Sequence, residues 1–156
     1  MVVLRPLTAE NKCLIRRWPS YSGLFGEMSY ALRKGGWLDE FSGQPEVLSF
    51  VAEIDGEVVG FSLLIPATRG EAEFRVALHP HWTGRGLGEE VTRGTLKIGF
   101  EERGLCRIQL IVRKSNAPAF RLYQRVGFVV TGECIRDVQG KNIDFIQMEI
   151  RPDVIR

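Results

Sequence analysis

The sequence predicts a mixed α/β domain, one sheet of about seven strands with helices on both faces. Three observations carry this reading. Strand-like runs meander first and then alternate with helical patterns, in the order β-α-α-β-β-β-α-β-α-β-β. Two pairs of strands meet at short turns, Asp55-Gly56 and Gln139-Gly140. Between the helical patterns lies "LCRIQLIV", a nearly continuous apolar run of the kind an inner strand shows. The chain has 156 residues, so we read 1–156 as one domain with a single core.

"VVLRPL" reads as a short strand. Thr8 then caps a helix running to about Trp18, which Pro19 ends. Residues 20–44 are expected to hold a helix around Gly26–Leu38, broken by Gly35-Gly36. "EVLSFVAEI" and "EVVGFSLLI" form a hairpin about Asp55-Gly56, and "AEFRVALHP" is a third strand, stopped by Pro80. "LGEEVTRGTLKIGFEERG" is a helix ending at Gly104. Leu87, Val91 and Ile98 fall on one stripe, with Leu96 and Phe100 on the other side, so more than one of its faces is expected to be covered. Asn116 caps the next helix, which has Pro118 in its first turn and ends at Gly127. "FVVTGEC" and "NIDFIQMEI" are the last strands.

Composition narrows the functional classes. The formal net charge is +2, with both signs mixed along the chain, and nucleic-acid binding asks for a concentrated basic face. No apolar run is long enough to span a membrane, and the first residues lack the pattern of a secretory signal, so the cytoplasm is the expected compartment. Cys13, Cys106 and Cys134 lack metal-ligand spacing and are expected to be buried thiols. His79 and His81 form an H-x-H pair without a third ligand at a sensible spacing, so no metal is expected.

The stretch "HPHWTGRGLGEE" carries the clearest chemical signal. A strand, a glycine-rich turn and a helix start make an anion site, because free N–H groups and the helix dipole point at the ligand. Gly84, Gly86 and Gly88 permit a close approach to the main chain, and Arg85 adds a charge-assisted donor. Glu89 and Glu90 suit the first helical turn. No lysine follows the glycines, which excludes the Walker phosphate loop. A third glycine of GxGxxG would fall at Glu89, which excludes the dinucleotide fingerprint.

In its order of motifs the chain resembles the GNAT superfamily of acyl-CoA-dependent N-acyltransferases. The family's central pattern is a strand, Q/R-x-x-G-x-G/A and a helix. Here it reads "VALHPHWTGRGLG", with Gly86 and Gly88 in place and Thr83 where Gln or Arg is usual. "RIQLIVRKSNAPAFRLYQRVGF" continues the likeness through Asn116, Tyr123 and Gly127-Phe128. The resemblance covers Glu46 to Ile150. It implies a mostly antiparallel sheet whose strands splay apart at an acetyl-CoA site. The cofactor pyrophosphate would lie on the backbone of Gly84, Arg85, Gly86, Leu87, Gly88 and Glu89. The pantetheine arm would pair with the backbone of Val76, Ala77 and Leu78, and Asn116 would contact the same arm.

Acyl transfer to an amine also needs a proton for the leaving thiolate and an acceptor for the amine proton. Tyr123 matches the family's general acid, although its helical spacing also fits a core residue. Relatives with a carboxylate on the strand before the asparagine have Ile111 at that position here. Glu73, one strand earlier, is the nearest alternative base, and His79 is a secondary one. No cysteine sits at the glycines, so attack by the amine in a ternary complex is expected rather than a covalent enzyme intermediate. The acceptor would be a small-molecule amine or a protein N-terminus, and the resemblance also implies a homodimer. The aromatic residues Trp18, Tyr21, Phe25, Tyr30 and Trp37 stand where the family shapes its acceptor pocket, although their pattern also fits ordinary helix packing; Glu27, Asp39 and Glu40 nearby could attract a cationic amine or simply be solvated surface carboxylates. The alternative is a non-catalytic acyl-CoA sensor, motivated by Ile111 and Thr83.

Overall fold

The computed structural model describes residues 2–21, 36–41 and 43–154. In chain order the elements are β1 (Val3–Pro6), α1 (Ala9–Arg16), α2 (Trp37–Phe41), β2 (Leu48–Ile54), β3 (Glu57–Pro66), β4 (Glu71–Leu78), α3 (Leu87–Lys97), β5 (Arg107–Arg113), α4 (Ala117–Val126), β6 (Val129–Val138) and β7 (Lys141–Ile150). Among the described residues the strands form a single sheet in the order β1-β2-β3-β4-β5-β7-β6. Every neighbouring pair is antiparallel except β4 and β5. A parallel pair cannot be closed by a tight turn, so α3 serves as the crossover between them. The expected helix around Gly26–Leu38 lies largely outside the described residues.

Local chemistry explains most boundaries. Thr8 and Asn11 form a reciprocal capping box at the start of α1. Asp55 and Gly56 adopt φ of 50° and 83°, and Gln139 and Gly140 adopt 51° and 83°. Two successive left-handed residues match the twist of the strands they join, which explains both tight hairpins.

Helices cover both faces. On one, Ile15 and Trp18 of the α1 segment and Leu38 of α2 pack with Val51, Phe61, Leu63 and Ala77 of the sheet. On the other, α3 divides its contacts: Leu87 and Val91 join Ala52 and Val59, while Leu96 joins Phe74, Ile108 and Met148. Small residues let α3 lie close to the sheet. Thr95 is buried and shares a 2.7 Å hydrogen bond with Ser62 of β3. Ile98 is only partly buried, unlike the other apolar residues of its stripe.

Three expectations change. The helix expected to reach Gly104 is α-helical only to Lys97; Ile98–Glu102 forms one wider turn in which the Arg103 N–H bonds to the Ile98 carbonyl. The turn seats Gly99 where a Cβ would lie 3.0 Å from Ile108 and 3.1 Å from Leu64. Strand β5 is not buried equally on both faces: Ile108, Leu110 and Val112 are buried, and the alternate Gln109 and Ile111 are half-buried. The cysteines are not a buried set either, since Cys13 and Cys106 are exposed and Cys134 is half-buried. Cys13 lies off the Ile15–Trp18 stripe of α1, and Cys106 precedes the strand rather than sitting in it.

Gly127 ends α4 at φ 126°, and a Cβ there would lie 2.5 Å from the Val154 carbonyl oxygen. Gly140 has φ 83° with open space around it. Gly127→Ala should therefore cost about 2–4 kcal/mol, and Gly140→Ala about 1 kcal/mol. Urea unfolding of the two variants measures the difference; equal losses would mean that the Val154 segment yields without cost.

Candidate functional site

The site begins where β4 and β5 part. Their ladder holds three pairs, Glu71 with Arg107, Ala72 with Ile108 and Glu73 with Gln109. Beyond Glu73, β4 continues to Leu78 and β5 to Arg113 without further pairing between them. The two facing edges are therefore open toward their carboxyl ends. The His79 N–H donates to the Val59 carbonyl at 2.8 Å, and the β3–β4 register runs unbroken below it. Strand alternation then turns the peptide groups of Val76 and Leu78 into the gap and those of Ala77 toward β3. Of the expected Val76–Leu78 set, Val76 and Leu78 offer main-chain partners to an extended ligand. Tyr21 bears on the same edge: its hydroxyl donates to the Leu78 carbonyl at 2.6 Å. Its place among the aromatic residues before β2 hinted at a pocket role, but no motif marked this contact.

At the open end of the gap the two helices start differently. The α4 start is capped by its own sequence, the Asn116 side chain accepting from the Ala119 N–H at 3.3 Å. The α3 start has no capping side chain, because the N-cap is Gly86. Its first-turn N–H groups, on Leu87, Gly88 and Glu89, lack intrahelical acceptors. The glycines serve different needs. Gly84 and Gly86 have φ of 75° and 82°, with no protein atom within 4 Å of a built Cβ. Their flanks are open to an approaching group. Gly88 is buried, and a Cβ there would meet Leu122 of α4 at 2.9 Å, so its bareness serves helix packing. The Glu89 carboxylate is bonded to Arg93 at 3.3 Å and to Arg125 of α4 at 3.2 Å, and Arg125 foremost holds its pKa below the usual value. Its side chain ties two helices together, leaving its N–H as the group available to an anion. Arg85 stacks on Trp82, 4.9 Å from the ring centre. Thr83 donates to the Pro80 carbonyl at 3.0 Å and so shapes the loop.

Tyr123 projects from α4 into the core, edge-on to Phe74 at 6.4 Å and to Phe128 at 5.7 Å. Phe74 is the first β4 residue beyond the shared ladder, so Tyr123 packs where the strands diverge. Burial pushes its phenol pKa upward, keeping the proton on the oxygen at neutral pH. Among the described residues its hydroxyl has no hydrogen-bond partner, although a buried tyrosine usually finds one.

The opposite face of the gap carries Glu73. Its Oε2 accepts from Arg75 Nε at 2.6 Å, and both side chains are half-buried. The Arg75 guanidinium lies 5.1 Å from the Trp37 ring centre and 4.7 Å from that of Phe41. Ile111, one strand over, is half-buried. His79 is poorly placed as a base. Its Nδ1 accepts from the His81 N–H at 3.0 Å, so the neutral ring carries its proton on Nε2 and has no free lone pair. Burial, and then the neighbouring His81, lower its pKa. Asp39 is bonded to Arg16 and lies 3.5 Å from Lys12. Glu40 is exposed, and Phe25, Glu27 and Tyr30 lie outside the described residues. Among the described residues no group of three His, Cys, Asp or Glu could hold a metal ion, and no helix is long and apolar enough to cross a membrane.

The chain is similar to known proteins in sequence and in fold. The model of the acetyltransferase (GNAT) family matches residues 13–128. Spermidine N(1)-acetyltransferase of Escherichia coli K12 is 32% identical over 103 residues, covering 64% of this chain and 55% of that protein. The L-amino acid N-acetyltransferase AaaT of the same strain is 29% identical over 100 residues, covering 62% of each. The chain thus spans little more than half the length of these relatives. The fold matches the spermidine N-acetyltransferase of Vibrio cholerae, solved in complex with CoA and spermine, with a TM-score of 0.76 at 20% identity over 98% of this chain and 96% of that one. With the family model spanning most of its length and the fold in agreement, the chain belongs to the GNAT family of acetyltransferases.

Proposed function

We propose that this chain transfers an acetyl group from acetyl-CoA to a primary amine by direct attack, with both substrates bound together. The observation that carries the reading is the parting of β4 from β5 beside the uncapped start of α3. An open strand edge suits an extended amide-bearing arm, as in strand addition. Orphan N–H groups at a helix start suit a pyrophosphate. Both features fit coenzyme A, and they adjoin each other.

When bound, acetyl-CoA supplies the activated acetyl group as a thioester. The Leu78 N–H, turned into the gap, serves as donor to the thioester carbonyl oxygen as the amine nitrogen bonds to its carbon. Tyr123 holds a proton on its hydroxyl for the departing sulfur. Loss of water makes a thiolate more basic, so transfer from a raised phenol is feasible within the same dry site. Glu73, at the fork of the strands, takes the proton lost by the amine. Asn116 borders the cofactor arm at the start of α4. In this reading Ile111 offers no carboxylate, and Glu73 takes that role from the neighbouring strand. The acceptor is a small-molecule amine, as the activities named for several relatives support.

Strand β6 is the outer edge of the sheet and exposes Val129 (57%), Val130 (51%) and Ile135 (61%). A second copy would cover them, and the expected homodimer is proposed on this edge.

Acetyl-CoA at ~100 times its dissociation constant should stabilise the fold by roughly 2.7 kcal/mol. Thermal unfolding with acetyl-CoA, ATP and NAD in parallel tests this; a rise with ATP or NAD alone would remove the assignment. Tyr123→Phe loses no internal hydrogen bond, so stability should hold while kcat falls about 100-fold or more. Glu73→Gln should lower kcat about 100-fold. Undiminished turnover in either variant would move that proton elsewhere, and stabilisation by acetyl-CoA without turnover of any amine would favour a sensor. Light scattering should give twice the monomer mass, and Ile135→Lys should return the monomer; a wild-type monomer would end the dimer proposal.

A further inference from the structure

We propose that the Glu73–Arg75 pair selects an acceptor that carries a carboxylate beside its amine, an amino acid rather than a polyamine. The inference rests on the acetyltransferase reading above and names the substrate class of that site.

Arg75 lies two residues beyond the last shared rung of β4 and β5, on the same strand face as Glu73. Its planar group is held over Trp37 and Phe41, so its orientation is set before any ligand arrives. Only its Nε is used within the described residues, bonded to Glu73 at 2.6 Å. The terminal N–H groups make no hydrogen bond there. A guanidinium with one edge committed, its flat face stacked and its other edge available is a fork for a carboxylate.

The charge pattern points the same way. The gap wall presents an anion and a cation side by side. A zwitterionic amino acid presents the complementary pair, its ammonium toward Glu73 and its carboxylate toward Arg75. The ammonium gives one proton to Glu73 and so becomes the attacking amine; the second proton, lost as the amide forms, replaces the one that Tyr123 passes to the departing sulfur, and the carboxylate stays on Arg75 throughout. A polyamine offers cations alone and would set one of them against Arg75. The Asp39 carboxylate already holds Arg16 and Lys12, and Glu73 holds Arg75. A peptide N-terminus lacks a carboxylate next to its amine and would leave the Arg75 fork unfilled.

Steady-state transfer should be measured on pairs that differ only in the carboxylate: L-leucine and isoamylamine, L-phenylalanine and phenethylamine, L-lysine and cadaverine. Spermidine and a peptide amide complete the panel. In at least one pair the amino acid should exceed its amine at least about tenfold in kcat/KM, mainly through KM, the range of a charge-assisted bond. Arg75→Gln should cut that preference by at least about tenfold, and Arg75→Lys should keep part of it. Because the preference is a ratio within one variant, a general loss of folding does not mimic this result. Calorimetric binding of the preferred amino acid to the CoA-bound protein should weaken in parallel. Transfer to spermidine and cadaverine but to no amino acid overturns the inference and leaves the acetyltransferase standing. A preference that survives Arg75→Gln also overturns it, and transfer to none of the panel overturns both readings.

Discussion

The geometry of the whole site depends on one limited contact, the three-pair parallel ladder between β4 and β5. Elsewhere the sheet is antiparallel and its ladders run nearly the length of the strands. A sheet edge buried without partners would be costly, since each unpaired peptide group loses its bonds to water. Here the edges open together toward the carboxyl ends of both strands, where two helices begin. A gap of this kind persists because each strand is secured on its other side, β4 by β3 and β5 by β7. The ladder's early end exposes peptide groups to a ligand without loosening the sheet.

The helices beside the gap divide the electrostatic work. Asn116 uses its side chain to satisfy part of the α4 start, whereas Gly86 brings none to α3. The positive end of one helix therefore has no side-chain cap, as the proposed pyrophosphate site requires. Packing supports this asymmetry. Gly88 lets α4 approach α3, Leu87 and Val91 anchor the first turns in the core, and Glu89 joins α3 to Arg125. The orphan N–H groups are thus held in place by buried contacts, and a ligand would not have to order them.

The two faces of the gap differ in chemistry. The α4 side is apolar, with Tyr123 against Phe74 and Phe128, and its one polar tip keeps its proton because burial penalises the phenolate. The α2 side holds a stacked ion pair, Glu73 and Arg75, half open to water. A protonated acid and a charged pair on opposite sides of one opening are what the proposed transfer would use, since in it one group leaves as an anion and another arrives as a cation.

Contiguous residues determined much of this protein. Hairpins at Asp55-Gly56 and Gln139-Gly140, caps at Thr8 and Asn116, and the glycine loop before α3 all follow from dihedral preferences and nearest-neighbour hydrogen bonds, so they were legible in the sequence. The strand count and the crossover helices followed from periodicity. The wider turn after Lys97 and the exposed cysteines were not legible, because each depends on how the chain meets a distant surface. Tertiary structure alone decided which peptide groups enter the gap, turning Val76 and Leu78 inward and Ala77 toward β3. It also decided that His79 spends its lone pair on His81 and that Arg75 lies over the rings of Trp37 and Phe41. A side chain's type sets what chemistry it can do. The direction of its strand, and the neighbours brought to it from far along the chain, set which part of that chemistry remains available.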